Sequence, residues 1–92
     1  MLEREVTIKN RAGLHTRPAA MVVKTAAKFK SEFLIFKDGM EINGKSIIGV
    51  MTLAAECGST LIMQFEGPDE QEALAAVTDL FDRGFDEELA VQ

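Results

Sequence analysis

GLHTRPAA, at residues 13–20, is the stretch at which the chain changes from an extended strand into a helix. Before it, apolar residues alternate with polar ones over residues 2–9, which predicts a half-buried strand. After it, alanine and valine recur at helical spacing and predict a helix over residues 16–29. Pro18 falls in the first turn of that helix, where its missing N–H has no helical partner to lose.

Three more strands and a short helix follow in the middle of the chain. Apolar alternation predicts strands over residues 33–37, 40–42 and 60–66. The pair Asp38-Gly39 between the first two of these is typical of a hairpin turn. Ser46 is suited to cap the N-terminus of a short helix that continues to about Leu53.

The last helix has the most complete set of boundary signals. Asp69 is a candidate N-cap, and Glu72 stands three residues later, in the position that completes a capping box. Gly84 is predicted to end the helix at C′, with Phe85 packing back on the last turn. Residues 86–92 carry no further element signal, and we expect them to fray.

The order of elements, β-α-β-β-α-β-α, defines the fold class. Four short strands of half-polar character predict one antiparallel or mixed sheet with helices on one face, which is an α+β two-layer domain. The chain has 92 residues, of which 47% are hydrophobic, and this predicts a single domain over residues 1–92. A domain of this size has little room for a deep cleft, which favours a reactive group presented at the surface.

Charge is distributed unevenly along the chain, whose net charge is -5. Residues 1–30 contain seven bases and two acids, whereas residues 66–92 contain nine acids and one base. A basic end on an acidic protein predicts an anionic ligand or an acidic partner surface, while the acids are expected to solvate the last helix. Nucleic acid is not expected as a partner, because tyrosine and tryptophan are absent and the overall charge has the wrong sign.

The remaining composition predicts a soluble, cytoplasmic protein, and we expect it to be a monomer. The longest apolar runs, such as Phe33–Phe36, are far too short to span a bilayer, so no membrane insertion is expected. The N-terminus lacks the charged-then-apolar pattern of a signal peptide. Cys57 is the only cysteine, which leaves no internal disulfide and favours a small packed side chain over a redox role.

His15, the only histidine, stands at the entry to the first helix. The N–H groups of Thr16 and Arg17 in the first turn have no intrahelical partner, and with the helix dipole they form a site for an anion. The Arg17 guanidinium adds a fixed positive charge with a geometry suited to phosphate oxygens. Because the same field disfavours the imidazolium, we expect a neutral and nucleophilic ring, which Gly13 leaves accessible.

These residue types alone leave a simpler interpretation open, in which His15 merely begins a helix. A metal site is not expected, because His15 and Cys57 lie far apart and no paired carboxylates stand at ligand spacing. No pattern in the sequence indicates a cofactor either.

Residues 39–46 fit the P-loop pattern G-x-x-x-x-G-K-[ST] letter for letter. We nevertheless predict no nucleotide site there. Met40 and Ile42 alternate as a returning strand, which leaves too little slack to wrap a phosphate, and the chain is too short for the doubly wound sheet that normally holds such a loop.

The string at residues 13–20 resembles the active-site signature of HPr proteins, the histidine-containing phosphocarriers of the bacterial phosphoenolpyruvate:sugar phosphotransferase system. The resemblance continues through the segment Lys45–Leu53 and at residues 58–59 and 67–70, so that it covers nearly the whole chain. It implies an open-faced β-sandwich, in which a four-stranded antiparallel sheet of order 1-4-2-3 carries three helices on one face.

The resemblance also implies a function. His15 would take a phosphoryl group on Nδ1, the pros nitrogen, from phosphorylated enzyme I, which obtains the group from phosphoenolpyruvate. It would then pass the group to a IIA domain of a sugar permease, while Arg17 and the backbone N–H groups of Thr16 and Arg17 stabilise the phosphate. The chain would be a covalent intermediate in sugar transport rather than an autonomous enzyme.

Ser46 falls in the segment that resembles the family's regulatory serine, which implies phosphorylation by HPr kinase/phosphorylase. A phosphate at a helix N-terminus is electrostatically favoured and would add about two negative charges beside apolar side chains. The docking patch implied by the resemblance comprises Leu14, Thr16, Ala20, Lys24, Lys45, Ile47, Ile48 and Met51. We expect about half of its large apolar members to be interior, because a short helix must bury one face.

Two functions of different class remain open. The first is the phosphocarrier, in either the sugar-transport or the nitrogen-related branch. The second is a regulatory binding module, in which phosphorylated Ser46 recruits a transcriptional co-regulator while His15 is idle. The presence of both His15 and Arg17 favours the phosphocarrier.

Overall fold

Four strands form a single antiparallel sheet in the computed structural model, which describes residues 1–90 of the chain. They are β1 (Leu2–Thr7), β2 (Glu32–Lys37), β3 (Met40–Asn43) and β4 (Thr60–Glu66). Their order, β1-β4-β2-β3, confirms the sheet implied by the resemblance. β2 and β3 form a hairpin, while β4 lies between β1 and β2 and pairs with both.

Helices cover one face of this sheet. They are α1 (Thr16–Ala26), α2 (Ile47–Thr52) and α3 (Glu70–Asp82), and a 3-10 turn follows at Gly84–Asp86. α1 lies beside both α2 and α3, and α3 also packs against β1 and β4. The order of elements is the one predicted, and the architecture is an open-faced β-sandwich. Among the described residues, no helix combines the length and the apolar character needed to cross a membrane.

The core lies between the sheet and the helices. The predicted alternation in β4 is confirmed, because Leu61, Met63 and Phe65 are buried while the residues between them are partly exposed. Phe65 stacks on Phe33 of the neighbouring β2, with ring centroids 4.4 Å apart. This alternation holds the register of the sheet, since a slip of one residue would turn every buried side chain of the strand toward solvent.

Two predicted elements are shorter in the structure. β1 ends at Thr7 rather than at residue 9, although Ile8 stays buried and donates its N–H to the Ser59 carbonyl at 2.9 Å. α1 ends at Ala26 rather than at residue 29, because the last N–H groups bond to carbonyls only three residues back, as Phe29 does to Ala26 at 3.1 Å. Such tightening of the final turn is a common way to satisfy the carbonyls at a helix end.

α3 begins where the sequence predicts, but its N-terminus is not a capping box. Asp69 occupies the N-cap position, yet its carboxylate accepts hydrogen bonds from the backbone of residues 30–31 instead of from its own helix. Glu70 reaches back and accepts from the Gly67 N–H at 3.1 Å. The predicted capping box with Glu72 is therefore wrong, because a contact distant in sequence engages the Asp69 carboxylate.

The end of α3 follows the prediction. Gly84 takes the left-handed conformation at C′, with a φ of +61°, which a residue with a Cβ adopts only at a cost. Phe85 is fully buried and packs edge-on against Phe81, with ring centroids 4.9 Å apart. The turn at Gly84 directs the following residues back toward the loop after β1.

The segment after this turn pairs with the loop that follows β1. Arg11 donates its N–H to the Glu88 carbonyl at 2.8 Å, and Ala90 donates its N–H to the Lys9 carbonyl at 3.2 Å. The expectation that residues 86–92 fray is therefore wrong for residues 86–90, because this part of the chain has long-range backbone partners. Residues 91–92 lie outside the described residues.

Candidate active site

His15 is the N-cap residue of α1, and its ring is free of any capping role. Its backbone is extended, with φ -84° and ψ -166°, and its side chain, which is 44% exposed, makes no hydrogen bond to the first turn. The preceding loop is held by Gly13, whose φ is +78°, and by the Leu14 N–H, which donates to the Ala55 carbonyl at 2.8 Å. A Cβ on Gly13 would stand 2.7 Å from that carbonyl oxygen, so glycine is required here.

The predicted anion donors lie at the start of α1. The N–H groups of Thr16 and Arg17 belong to the first turn and have no carbonyl within the helix to bond, while Pro18 carries no N–H. The Arg17 guanidinium turns toward the segment after α3, where Nη1 donates to the Phe85 carbonyl at 3.0 Å. The structure therefore brings together His15, Arg17 and the free end of the helix, and it adds a contact with the C-terminal segment.

Glu87 completes the site, and no local pattern in the sequence indicates it. Both of its carboxylate oxygens lie 3.0 Å from His15 Nε2, and Oε2 also accepts from Arg17 Nη1 at 3.0 Å. Asn10 donates from Nδ2 to Oε1, also at 3.0 Å. One carboxylate thus links three groups, although 72 residues separate it from His15. The excess of acids in residues 66–92 was the one available signal, and it did not single out this position.

The charge on Glu87 is stabilised by its neighbours. Burial raises the pKa of this carboxyl, but hydrogen bonds from His15, Asn10 and Arg17 lower it more strongly, so that the pKa lies below the usual value of 4.5. Glu87 is therefore a carboxylate at neutral pH. Its negative charge lies 3.0 Å from the His15 ring, at the end of α1 where the helix dipole is positive. The expectation of a neutral ring, which was made from the helix end alone, stays a prediction.

Asn10 is fully buried and holds two sides of the site together. Its Nδ2 donates to the Gly13 carbonyl at 2.7 Å as well as to Glu87. Its Oδ1 has no hydrogen-bond partner within residues 1–90. A buried amide that bridges the loop before His15 and the segment after α3 restricts the positions that both can take.

Ser46 caps α2, as predicted. Its Oγ accepts a hydrogen bond from the Gly49 N–H at 3.1 Å, and the residue is partly exposed. Met51, near the other end of the same helix, lines one shallow depression together with His15 and Thr16. α2 therefore borders the surface around His15.

The large apolar members of the expected docking patch are more exposed than predicted. Ile48 is 76% exposed, and Ile47 and Met51 are 38% and 43% exposed. Only Leu14, at 4%, is interior, and the structure contradicts a surface role for it because its side chain belongs to the core. The buried face of α2 and the residue after it is formed instead by Val50 and Leu53.

The remaining members of that patch differ in exposure. Thr16 and Lys24 are exposed, whereas Ala20 is half-buried. Lys45 is also half-buried, and its Nζ donates to the Phe29 carbonyl at 2.8 Å. The ammonium of Lys45 is therefore engaged within the fold and is less available than that of Lys24.

Residues 39–46, which fit the P-loop pattern, are engaged in other structure. Met40–Asn43 forms β3 and pairs with β2, and the Gly44 N–H donates to the Phe33 carbonyl at 2.8 Å. A P-loop needs a run of free N–H groups curved around a phosphate, which a paired strand does not offer.

Cys57 is partly buried in the loop before β4, with Sγ 3.9 Å from the Lys9 carbonyl oxygen. This is the packed environment expected for it. In the part of the chain that the structure describes, no three histidine, cysteine, aspartate or glutamate side chains converge in a way that would hold a metal ion.

The fold and the site together define a class, the small open-faced β-sandwiches that present a histidine at the start of the first helix. The family described as the PTS HPr component phosphorylation site matches residues 2–83. The chain belongs to this HPr family, the phosphocarrier proteins of the phosphotransferase system.

Similar proteins agree with this membership. The phosphocarrier protein HPr of Treponema pallidum is 48% identical, over 96% of this chain and 100% of its own length. A crystal structure of HPr from Thermoanaerobacter tengcongensis has a TM-score of 0.92 at 46% identity and covers 97% of this chain and 100% of that chain. The Bacillus subtilis protein Crh, a catabolite repression protein solved as a domain-swapped dimer, has a TM-score of 0.69 at 37% identity, over 98% of this chain and 100% of that chain.

Proposed function

We propose that this chain carries a phosphoryl group on His15 Nδ1 and passes it on. The proposal rests on one observation. A partly exposed imidazole stands at the N-terminus of α1 beside the Arg17 guanidinium, in a chain of the HPr family. The free N–H groups of Thr16 and Arg17 add donors for phosphate oxygens. On this proposal the chain is an intermediate and has no catalytic turnover of its own.

The transfer is a substitution at phosphorus. The lone pair of His15 Nδ1 forms a bond to phosphorus while the bond from phosphorus to the leaving atom of the donor breaks. Arg17 and the first-turn N–H groups meet the charge on the phosphoryl oxygens, and they are in place before the reaction. In the next transfer the Nδ1–P bond breaks and its electron pair returns to the ring.

By resemblance to the family, the donor is enzyme I charged by phosphoenolpyruvate, and the acceptor is a IIA domain of a sugar permease. Both would meet the chain in the cytoplasm. Exposed apolar side chains next to the site support docking there, namely Ile47, Ile48 and Met51. The exposed bases Arg17 and Lys24 are suited to an acidic partner surface.

Labelled phosphoenolpyruvate with enzyme I tests the carrier function. We expect the chain to acquire an acid-labile, base-stable phosphoryl group that is absent from the His15→Ala variant. Ser46→Ala is the matched control and should be labelled like the wild type, because Ser46 caps α2 and is not one of the anion donors. An unlabelled wild-type chain, with an enzyme I that labels another HPr, would contradict the proposal.

We further propose that Ser46 is phosphorylated by an HPr kinase/phosphorylase to control docking. Its position supports this, because it stands at the head of the helix that carries Ile47, Ile48 and Met51. About two added negative charges there would oppose an apolar or acidic partner surface. An ATP-dependent, acid-stable adduct should form on the wild type and on His15→Ala but not on Ser46→Ala. No incorporation with an active kinase would refute the regulatory role.

A regulatory binding module is the second candidate function, and the similarity to Crh favours it. In that case phosphorylated Ser46 would recruit a transcriptional co-regulator while His15 stayed idle. The enzyme I assay separates the two, since such a module would carry only the serine adduct. A carrier of the nitrogen-related branch would be labelled on His15 but would not support sugar phosphorylation with a IIA domain and its permease.

We propose that the chain acts as a monomer. The contacts among His15, Arg17 and Glu87 form within a single chain, so the proposed site needs no residue from a second copy. Because the similar Crh structure is a dimer, light scattering over a range of protein concentrations is the direct test. A dimer that persists at the lowest concentration would contradict a monomeric carrier.

A further inference from the structure

We infer that Glu87 is a positioning residue that keeps a proton on His15 Nε2 and thereby leaves the nucleophilic lone pair on Nδ1. This inference rests on the proposed carrier function and adds to it a reason why the Nδ1 atom, rather than Nε2, receives the phosphoryl group. Its physical basis is the contact between the Glu87 carboxylate and one particular ring nitrogen.

The contact assigns the proton. Both Glu87 oxygens lie 3.0 Å from His15 Nε2, which is hydrogen-bond distance for each. An ionised carboxylate can only accept hydrogen bonds, so the hydrogen between the two groups must belong to Nε2. A neutral imidazole carries one N–H, and its other nitrogen then holds the lone pair. With Nε2 protonated, that nitrogen is Nδ1.

The carboxylate is itself held firmly enough to select a tautomer. The Glu87 side chain is only 17% exposed and accepts hydrogen bonds from Arg17 Nη1 and Asn10 Nδ2, each at 3.0 Å. Asn10 is fully buried and also bonds to the Gly13 carbonyl. Arg17 Nη1 is also bonded to the Phe85 carbonyl. Two donors other than His15 therefore limit the movement of the carboxylate, and a fixed acceptor orients the ring that donates to it.

The same contact suits each stage of the transfer. When Nδ1 bonds to phosphorus, Nε2 keeps its hydrogen and the ring becomes positively charged, which Glu87 offsets. When the Nδ1–P bond breaks, the electron pair returns to Nδ1, and no proton has to move on or off the ring. Arg17 has five N–H donors, so contact with Glu87 leaves others for the phosphoryl oxygens.

The position of the proton can be measured without any phosphoryl transfer. We would record ¹⁵N shifts of the His15 ring nitrogens at about pH 9, where an ordinary histidine is neutral. The wild type is expected to show the Nε2–H form almost exclusively. Glu87→Ala should show a substantial Nδ1–H population, and Glu87→Gln, whose amide oxygen still accepts, should fall between them. Glu88→Gln removes the neighbouring charge, which contacts Arg11 instead, and should match the wild type.

Transfer kinetics provide the second measurement. With saturating phosphorylated enzyme I, Glu87→Ala should accept the phosphoryl group about tenfold more slowly, the effect of losing one hydrogen bond to a charged group. The concentration of enzyme I that gives half the maximal rate should stay within about twofold, because Ile47, Ile48 and Met51 are untouched. Glu88→Gln should again behave like the wild type.

Two results would overturn the inference. One is an unchanged ring tautomer in Glu87→Ala, and the other is faster acceptance by that variant, which would mean that Glu87 competes with the phosphate for Arg17. If Glu87→Ala fails to fold, the isosteric Glu87→Gln decides the question by the same criteria. The carrier function is judged separately, because it fails only if the wild-type chain is not labelled, whereas the tautomer is read on the unphosphorylated protein.

Discussion

At the scale of single residues, two arginines show that position decides what a charge does. Arg17 donates to the Phe85 carbonyl and to Glu87, and this keeps its guanidinium beside the histidine. Arg11 forms a pair with Glu88 at 3.2 Å, but the two side chains are 70% and 68% exposed. A surface pair of this kind contributes little to stability or to a binding site.

Arg17→Ala is expected to slow phosphoryl acceptance ten- to a hundredfold. A hydrogen bond to a charged group contributes about 1.5–3 kcal/mol, and each factor of ten in rate corresponds to about 1.4 kcal/mol. Rapid-quench measurements with phosphorylated enzyme I give the rate directly. Arg11→Ala makes the same change in net charge and should leave the rate unaltered. Equal losses in both variants would mean that only the overall field matters.

Gly44 is needed for space. A Cβ at this position would stand closer than 3.0 Å to three ring atoms of Phe33, which is stacked on Phe65. We expect Gly44→Ala to lower the free energy of unfolding by about 1–3 kcal/mol, as overpacked cores do, and urea denaturation measures it. Adding Phe33→Leu should relieve the clash, so that the double variant loses less than the two single losses together. Additive losses would contradict the steric explanation.

At the scale of elements, Asp69 joins the start of α3 to the segment between α1 and β2. Its carboxylate accepts hydrogen bonds from the Ser31 hydroxyl and from the N–H groups of Lys30 and Ser31, the latter two at 2.9 Å. These bonds, of which the one from the Ser31 hydroxyl has the largest effect, hold the pKa of Asp69 below its usual value of 3.8. The connection between the two segments is therefore strongest while this carboxyl is ionised.

Asp69→Asn is expected to lower the urea midpoint at neutral pH, by an amount that shrinks in acid. The unfolded chain protonates Asp69 at a higher pH than the folded chain does. The stabilisation is therefore complete above the unfolded pKa and is lost as the pH falls through the lower folded pKa. Midpoints of wild type and variant should converge at pH values below 3.8.

A second substitution controls for the loss of one negative charge. Asp38 lies in the exposed hairpin turn with a φ of +50°, a conformation that asparagine also accepts. The difference in urea midpoint between wild type and Asp38→Asn should therefore be small and should not change with pH. A difference between wild type and Asp69→Asn that does not depend on pH would contradict the hydrogen-bonded carboxylate.

At the scale of the whole molecule, the basic segment after β1 and the acidic segment after α3 meet beside the site. Backbone hydrogen bonds join them, from the Arg11 N–H to the Glu88 carbonyl and from the Ala90 N–H to the Lys9 carbonyl. Charges that are far apart in the sequence are thereby brought into contact. The C-terminal acids do more than solvate the last helix, since Glu87 contacts both His15 and Arg17.

A chain shortened after Glu87 is expected to exchange its Arg11 amide hydrogen about fivefold faster. The deletion removes the Glu88 carbonyl that accepts from this amide at 2.8 Å, and one such bond contributes about 1 kcal/mol. Hydrogen–deuterium exchange followed by NMR measures the change. The Leu14 amide, which donates to the Ala55 carbonyl, is the internal control and should keep its rate. Unchanged exchange at Arg11 would indicate that the two segments do not pair in solution.

Much of the molecule can be predicted from local sequence. Apolar periodicity and turn residues predict the order of all seven strands and helices, and β4 and the N-cap at Ser46 agree with the structure. The placement of His15 and Arg17 at a helix start is likewise a local property. The apolar periodicity overestimates the lengths of β1 and α1, because apolar residues continue beyond the point where the regular hydrogen bonding ends.

What only the tertiary structure decided is which distant groups meet. Asp69 looks like an ordinary N-cap, yet it bonds to residues 30–31, and Glu87 looks like a solvated acid, yet it binds His15 from 72 positions away. Local rules compare residues within about one helical turn or one strand repeat and cannot detect such contacts. The sequence by itself determined that a histidine stands at the start of the first helix, with Arg17 two residues later. Which carboxylate contacts that histidine was decided by the tertiary structure. The chain turns back at Gly84, and the packing of the following segment places Glu87 against His15 Nε2.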